Sequence, residues 1–118
     1  MSFDNLSKRR LTVCGGREEF PVYVAEKYFE RARGLLFRDE LGKKEGLLIK
    51  KCNAVHTFFM GYRLDLIFLS RCNEVVKVYR NVKPWRHRIV LSANSVIELK
   101  SGGDFADTIL VGDRIEII

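Results

Sequence analysis

Residues 64–69 place the strongest constraint on how this chain can fold. The run Leu-Asp-Leu-Ile-Phe-Leu is apolar at every position except Asp65. A continuous apolar run of this length is typical of a β-strand that is buried on both faces. A carboxylate in such a strand costs free energy unless a partner compensates for its loss of water. We therefore treat Asp65 as a pointer to either a functional site or a specific structural hydrogen bond.

Several other short segments carry strand signals. Val76, Val78 and Val82 alternate with more polar residues and predict a long strand over residues 75–82. The preceding Arg71-Cys72-Asn73-Glu74 predicts a hairpin, because Asn tolerates a positive φ. Further strands are predicted at residues 11–13, 21–24, 46–49, 54–59, 96–99 and after Gly112. Residues 104–108 predict a brief helical turn.

Only one segment shows helical spacing. Apolar residues recur at positions 25, 28, 29, 32 and 36, which predicts an amphipathic helix. Gly34 either weakens this helix or marks a close approach by another element. Seven to eight short strands with one helix predict a mainly β (α+β) fold, a compact β-sandwich or a partly open β-barrel. We expect one domain over residues 1–118, with residues 1–8 flexible.

The formal net charge is +6, and part of the excess is concentrated. Residues 75–97 contain no acid, and Trp85 lies among their basic residues, which are Lys77, Arg80, Lys83, Arg86 and Arg88. Basic residues interleaved with an aromatic are typical of nucleic-acid-binding surfaces. A solvated strand and loop explains the same charge, and no recognised nucleic-acid motif accompanies it. Nucleic acid is therefore the less favoured partner, behind a small molecule or another protein.

Cysteine usage and hydropathy indicate the compartment. Cys14, Cys52 and Cys72 are odd in number and contain no Cys-x-x-Cys pair, which favours reduced thiols that pack as small apolar core residues. No apolar run approaches the roughly 20 residues that span a bilayer. The first ten residues lack the apolar region of a secretory signal. We therefore expect a cytoplasmic protein with no membrane span.

Cys52, His56 and Met60 form the one set with metal-ligand character. Their spacing of four residues would place them on one face of a helix, as a soft donor set suited to copper. The intervening residues are β-formers, and in a strand Cys52 and His56 would be about 13 Å apart at about 3.3 Å per residue. We therefore predict no metal site and no cofactor.

Asp65 and Glu98 are the candidate acid/base pair. Each lies between aliphatic neighbours in a predicted strand, and paired carboxylates in apolar surroundings acquire different pKa values, which yields an acid and a base. His56 could shuttle protons near neutral pH, so the catalytic candidates are Asp65, Glu98 and His56. The structural alternative is that Asp65 accepts backbone hydrogen bonds or pairs with an arginine. The predicted ligand-binding cleft is lined by His56, Phe58, Met60, Asp65, Trp85 and Glu98.

Taken in order, several segments resemble those of a known family. They are residues 30–38 (Glu-Arg-Ala-Arg-Gly-Leu-Leu-Phe-Arg), 46–48 (Gly-Leu-Leu), 56–60 (His-Thr-Phe-Phe-Met), 64–69, 82–85 (Val-Lys-Pro-Trp), 96–102 (Val-Ile-Glu-Leu-Lys-Ser-Gly) and 112–113 (Gly-Asp). Their order is similar to that of the uncharacterised bacterial and archaeal family called domain of unknown function 192. The resemblance covers residues 20–118.

The resemblance implies a compact, single-domain, β-rich fold without an established activity, substrate or cofactor. Met60, Asp65, Glu98 and Asp113 match the family pattern. Arg63 replaces a family proline, Lys100-Ser101 replaces Pro-Ala, and Leu36 replaces a methionine. These departures bear on any pocket shape transferred from relatives.

Three functional hypotheses follow from the sequence. The leading one is a small binding or accessory module with a cleft around Asp65 and Glu98. The second is a small enzyme that uses these two acids. The third is a nucleic-acid or anionic-surface binder that uses the basic stretch from Lys77 to Arg88.

Overall fold

The computed structural model describes residues 3, 6–16, 18–35 and 39–118. Its strands are β1 (Ser7–Val13), β2 (Phe20–Ala25), β3 (Gly46–Lys50), β4 (Ala54–His56), β5 (Leu64–Leu69), β6 (Val75–Val82), β7 (His87–Ile89), β8 (Ser95–Lys100) and β9 (Ile115–Ile117). One α-helix, α1 (Tyr28–Arg33), and one 3₁₀ helix (Phe105–Thr108) complete the described elements.

The strands form a seven-stranded sheet and a small second sheet. The order in the main sheet is β6-β5-β8-β3-β2-β1-β9, and the sheet curls into a half-barrel. The second sheet pairs β4 with β7. All described pairs are antiparallel except β2 with β3, whose parallel pairing requires the crossover connection that contains α1. The mainly β prediction with one helix is confirmed.

Two core clusters cover the two faces of the main sheet. One contains residues from both ends of the sheet, including Leu11, Ile67 and Ile115, together with Ala106 of the 3₁₀ helix. This cluster fills the concave face, because a curled sheet brings its distant strands together there. The other cluster lies on the convex face, where β4 and the segment after α1 pack on β3 and β5.

The two outermost strands of the main sheet meet at one end. Asp113 O accepts a hydrogen bond from Val75 N at 2.7 Å, and Asn73 O accepts one from Ile115 N at 2.8 Å. Asn73 has φ 62°, as the hairpin prediction required. These bonds join the start of β6 to the start of β9 and close that end of the half-barrel.

The α-helix is shorter than its apolar pattern suggested. It ends at Arg33 because Gly34 has φ 56° and donates its N–H to Glu30 O at 3.0 Å. Ala25, the first residue of the apolar stripe, belongs to β2, and Leu36, the last, lies outside the described residues. Gly34 thus ends the helix, and it also marks a close approach by another element. A Cβ at this position would lie 3.3 Å from Glu98 Oε1 on β8.

Three features of the structure differ from what the sequence predicted. Cys14 and Cys72 are exposed, so the prediction that all three thiols pack in the core is wrong for these two. Strand β7 was not predicted from the sequence, because its three residues lie in a basic run and show no alternation of polar and apolar side chains. In the segment expected to be flexible, Phe3 and Leu6 are buried in the convex core and β1 begins at Ser7.

Candidate functional site

The sheet register places Asp65 and Glu98 on opposite faces of the main sheet. In the β5–β8 pair, Leu66 lies opposite Glu98, whereas Asp65 lies opposite Leu99. Directly opposed residues point to the same side of a sheet, and successive residues along a strand alternate. Leu66 belongs to the convex core and Leu99 to the concave core. The expectation of one cleft around both acids is therefore wrong.

Asp65 has a structural partner. Its Oδ1 atom accepts a hydrogen bond from Asn81 N at 2.7 Å. The β5–β6 register shifts between Leu64 and Leu66, and Asn81 adopts φ 56°, so this backbone N–H lies at an irregularity of the ladder. The buried carboxylate thus supplies an acceptor where strand pairing is interrupted. This geometry favours the structural alternative stated for Asp65.

Glu98 instead lines a small cavity on the convex face, about 60 Å³ in volume. We call it the Glu98 cavity. Helix α1 and the turn after it form one side, and the chain from Cys52 to Met60 forms the other. Its remaining lining residues are Arg31, Ala32, Gly34, Leu35, Ile49, Cys52, Ala54, Val55, His56, Phe58, Met60 and Leu64.

The carboxyl group of Glu98 is buried without full hydrogen bonding. The residue is 3% exposed, and its Oε1 atom has no hydrogen-bond partner among the described residues. Burial raises the pKa of Glu98 to about 8, because a desolvated carboxylate loses the stabilisation of water. At neutral pH the group therefore holds a proton and can donate it in a hydrogen bond. A cation in the cavity would favour the charged carboxylate instead.

Arg31 brings a second polar group without a partner to the same cavity. Its Nη1 donates to Lys51 O at 3.3 Å, but its buried Nε has no partner among the described residues. The ion pairs between described side chains do not include one between Arg31 and Glu98. A cationic and an acidic side chain therefore line one cavity without neutralising each other.

Cys52, His56 and Met60 also lie around this cavity. The expectation of an extended chain from Cys52 to Met60 is wrong, because only Ala54–His56 forms a strand and the chain turns on both sides of it. Lys51 has φ 52°, and Phe59 has φ 64° in a turn in which Met60 N donates to Thr57 O.

The Cys52 thiol in this cavity is protonated and hydrogen-bonded. No group of three or more His, Cys, Asp or Glu residues with suitable geometry occurs in the part of the chain that the structure describes. The Cys52 thiol donates to Ala54 O at 3.0 Å. Burial is the largest cause that raises the pKa of this thiol. Cys52 is therefore a protonated wall residue at neutral pH and not a poised nucleophile.

An aromatic cluster lies at the mouth of the cavity. The ring of His56 stacks on Phe58 with centroids 5.0 Å apart, and Phe58 stacks on Trp85 at 5.8 Å. Phe59 meets Trp85 edge-on at 4.6 Å. Trp85 is 57% exposed and does not line the cavity itself, so it extends the apolar surface outward.

Thr57 holds the segment that carries Trp85. Its buried hydroxyl donates to Lys83 O at 2.7 Å and accepts from Arg86 N at 2.9 Å. The backbone N–H of Trp85 donates to Thr57 O at 3.1 Å. Trp85 has φ 67°, a conformation that these surrounding bonds hold in place.

The five basic residues singled out from the sequence differ in their contacts. Arg80 forms an ion pair with Asp107 and also donates to Ala106 O, on the 3₁₀ helix. Lys77 Nζ and the Arg88 guanidinium both lie over the ring of Tyr79, at 5.2 and 5.1 Å. Lys83 and Arg86 are exposed next to Trp85.

Sequence comparison identifies the family. The family model of DUF192, described as "Uncharacterized ACR", matches residues 10–117. The chain belongs to the DUF192 family. It is also 30% identical over 116 residues to a UPF0127 protein of Thermococcus sibiricus, covering 94% of this chain and 72% of the relative. The resemblance drawn from the motifs is confirmed.

Solved structures share the DUF192 fold seen here. A Sinorhizobium meliloti 1021 protein, which carries the name "putative transcription regulator", superimposes with a TM-score of 0.81 at 20% identity over 95% of both chains. A Novosphingobium aromaticivorans protein of unknown function gives 0.76 at 25% identity, over 94% of this chain and 84% of its own. At these identities the likeness establishes the fold.

Among the described residues of this DUF192 chain, none of the helices has the length and apolar character needed to cross a membrane.

The sequence located part of this site. His56, Phe58, Met60 and Glu98 line the Glu98 cavity, whereas Asp65 and Trp85 do not. Arg31 was missed, because a helical arginine gives no sign of a buried Nε. Gly34 was the one sequence feature that could have pointed to this end of the helix, since a glycine there already suggested that another element packs closely against it.

Proposed function

We propose that this protein is a small binding module whose ligand enters the Glu98 cavity. The observation that carries the proposal is the Glu98 carboxyl group, buried with Oε1 unpaired in a cavity rather than in packed core. Leaving a buried polar atom without a partner costs about 1–3 kcal/mol. A ligand that supplies the missing hydrogen bond recovers that free energy, which favours a recognition role.

The enzyme hypothesis has less support. It required two carboxyl groups in one cleft, and Asp65 lies on the other face of the sheet with Asn81 N as its partner. Glu98 and His56 line the same cavity, but the thiol of Cys52 is protonated and offers no nucleophile. Binding is the function for which the cavity already has the necessary groups.

A ligand screen by two-dimensional NMR tests the proposal. A fragment library that includes amines, amides, alcohols and carboxylates would be added to ¹⁵N-labelled protein. We expect shifts at amides lining the cavity, such as Gly34 and Ala54, and loss of these shifts in Glu98→Gln. The exposed Glu116→Gln serves as the matched control. Hits that shift only other surfaces, or that bind Glu98→Gln equally well, would contradict the proposal.

A second candidate function is binding of single-stranded nucleic acid to the small sheet. Residues 51–63 and 83–97, which form and flank β4 and β7, contain no Asp or Glu. Trp85 and Phe59 are 57% and 69% exposed there, beside Lys83 and Arg86. Exposed aromatic rings stack on bases while basic side chains meet phosphates. The name of the Sinorhizobium meliloti neighbour is compatible with this candidate.

Fluorescence titration separates the second candidate from the first. Trp85 is the single tryptophan, so stacking of a base should quench its emission. Binding of a 12-nucleotide single strand should weaken steeply with salt, because counterions are released. Lys83→Glu with Arg86→Glu should abolish it, whereas the exposed Lys44→Glu should have a small effect. Absence of quenching at low salt would eliminate this candidate.

We also propose a cytoplasmic location. The exposed thiols of Cys14 and Cys72 support it, because free surface thiols persist in reducing compartments. Fractionation of cells followed by alkylation of reduced thiols would test this proposal. Recovery of oxidised protein from an extracytoplasmic fraction would refute it.

A further inference from the structure

The two unpaired polar groups of the Glu98 cavity indicate what kind of ligand fits it. This inference rests on the proposed binding function. We propose that the ligand is an amino acid or a molecule with the same head group, whose ammonium binds Glu98 and whose carboxylate binds Arg31.

The first argument is the placement of the two unpaired atoms. Among the described residues, two buried side-chain atoms lack a hydrogen-bond partner, Arg31 Nε and Glu98 Oε1, and both residues line the same cavity. One is a donor on a cation and the other belongs to an acid. An amine alone would satisfy Glu98 and leave Arg31 unpaired, and a carboxylate alone would do the reverse. A zwitterionic head group satisfies both.

The second argument is the absence of a direct ion pair. Arg31 and the protonated carboxyl group of Glu98 do not pair with each other in the described part of the chain. Arg31, on α1, is instead held by the bond from its Nη1 to Lys51 O, directly after β3. The site therefore leaves Arg31 Nε and Glu98 Oε1 both available to a ligand, as a receptor for a zwitterion must.

The third argument concerns size and the cavity mouth. The cavity, at about 60 Å³, is smaller than the roughly 150 Å³ of an engineered apolar cavity that encloses benzene. Only a head group can enter, and the remainder of the ligand must lie at the mouth. The rings of His56 and Phe58 line this mouth and stack on each other. An apolar side chain on the ligand is therefore favoured over a charged one.

Binding of the ammonium involves a proton. The free cavity holds Glu98 protonated at neutral pH, so the carboxyl group releases one proton to solvent as it binds the ammonium. The other ionisable groups around it are Arg31 on α1, Cys52 after β3, His56 on β4 and the phenol of Tyr62. Burial, and to a lesser extent the charge that Glu98 acquires on binding, raises the pKa of Cys52 and of Tyr62, so both stay neutral. Affinity should therefore rise up to tenfold per pH unit between pH 6 and pH 8.

The test compares L-leucine with two analogues that each lack one charge. These are 3-methylbutylamine, without the carboxylate, and 4-methylpentanoate, without the ammonium. Binding to the full chain would be followed by NMR at pH 8. We expect leucine to bind at least tenfold more tightly than either analogue, and glycine to bind more weakly than leucine because it lacks an apolar side chain.

Variants assign each charge to its residue. Glu98→Gln should weaken leucine and the amine but not 4-methylpentanoate, whereas Arg31→Gln should weaken leucine and the acid but not the amine. Arg63→Gln, at an exposed position, is the control for Arg31, and Glu116→Gln is the control for Glu98. Thermal melts of each variant would confirm folding.

The outcomes separate this inference from the broader proposal. If 3-methylbutylamine binds as tightly as leucine and only Glu98→Gln weakens it, the cavity binds amines, and the zwitterion inference is overturned while the binding function stands. If leucine, glycine and both analogues leave the cavity amides unshifted, none of them enters the cavity and the inference is overturned. The fragment screen then decides the binding function separately.

Discussion

Glu98 should make this protein less stable as the pH rises, and Glu98→Gln should remove that effect. The pKa of Glu98 is about 8 in the folded protein and near 4.5 when the carboxyl group is exposed to water. Below pH 4.5 both states hold the proton, so the group adds no penalty. Above that pH the unfolded chain releases the proton while the folded chain must retain it or bury a charge. Stability therefore falls until the pH reaches about 8.

The magnitude follows from linkage. Each pH unit between the two pKa values costs about 1.4 kcal/mol of unfolding free energy. From pH 5.5 to pH 8.5, with rounding near the upper pKa, the loss attributable to Glu98 is about 3 kcal/mol. This loss is a substantial part of the 5–15 kcal/mol typical of a domain.

Urea denaturation of the wild type and of Glu98→Gln at pH 5.5, 7.0 and 8.5 would measure the effect. The difference between the two proteins should change by about 3 kcal/mol over this range in favour of the variant. The difference between the two proteins removes the contribution of the other titrating groups to the pH dependence. The control Glu116→Gln should show the same pH dependence of unfolding free energy as the wild type. Parallel pH profiles for the wild type and Glu98→Gln would refute the reasoning, because they would mean that Glu98 ionises freely in the folded protein.

Three further substitutions test features of the fold. Asp65→Ala should lower the unfolding free energy by about 2–3 kcal/mol in urea, because the backbone N–H paired with the carboxylate loses a charged acceptor; a change below 0.5 kcal/mol would argue against a structural role. Gly103→Ala should destabilise by about 1–3 kcal/mol, since its Cβ would lie 2.6 Å from a backbone oxygen, whereas Gly61→Ala meets nothing within 4 Å; equal melting temperatures for the two would contradict this. Thr57→Val should lower the unfolding free energy by about 2 kcal/mol and shift the fluorescence emission of Trp85, because the segment that carries Trp85 loses two hydrogen bonds to the Thr57 hydroxyl. An unchanged emission spectrum would show that other bonds hold this segment.

Local features of the fold could be predicted from the sequence because they depend on neighbouring residues. The apolar run of β5 and the hairpin at Asn73 are examples, and both occur where expected. The helix was overestimated because its apolar stripe continued past Gly34, whose left-handed conformation ends it. Residue propensity and the spacing of apolar residues therefore predict whether a segment is a helix or a strand more reliably than they predict the residue at which it ends.

The candidate site was harder to predict because it depends on pairing. Asp65 and Glu98 were each recognised as acids in apolar strands, but their separation follows from the β5–β8 register, which one sequence does not specify. A slip of one residue would have put them on the same face. Likewise, His56 and Met60 line one cavity where the chain turns between them at Phe59, whose positive φ its residue type does not predict.

The joined ends of β6 and β9 also bear on how this protein avoids self-association. A curled sheet that stops short of full closure leaves two strands with unused amide and carbonyl groups, and such strands can recruit another chain and begin a fibril. Here the backbone hydrogen bonds at Asn73 and Asp113 join β6 to β9, so some amide and carbonyl groups of each edge strand are already paired. Mutations that weaken these bonds would expose the unpaired edges of both β6 and β9. Such variants should aggregate more than their loss of unfolding free energy alone would predict.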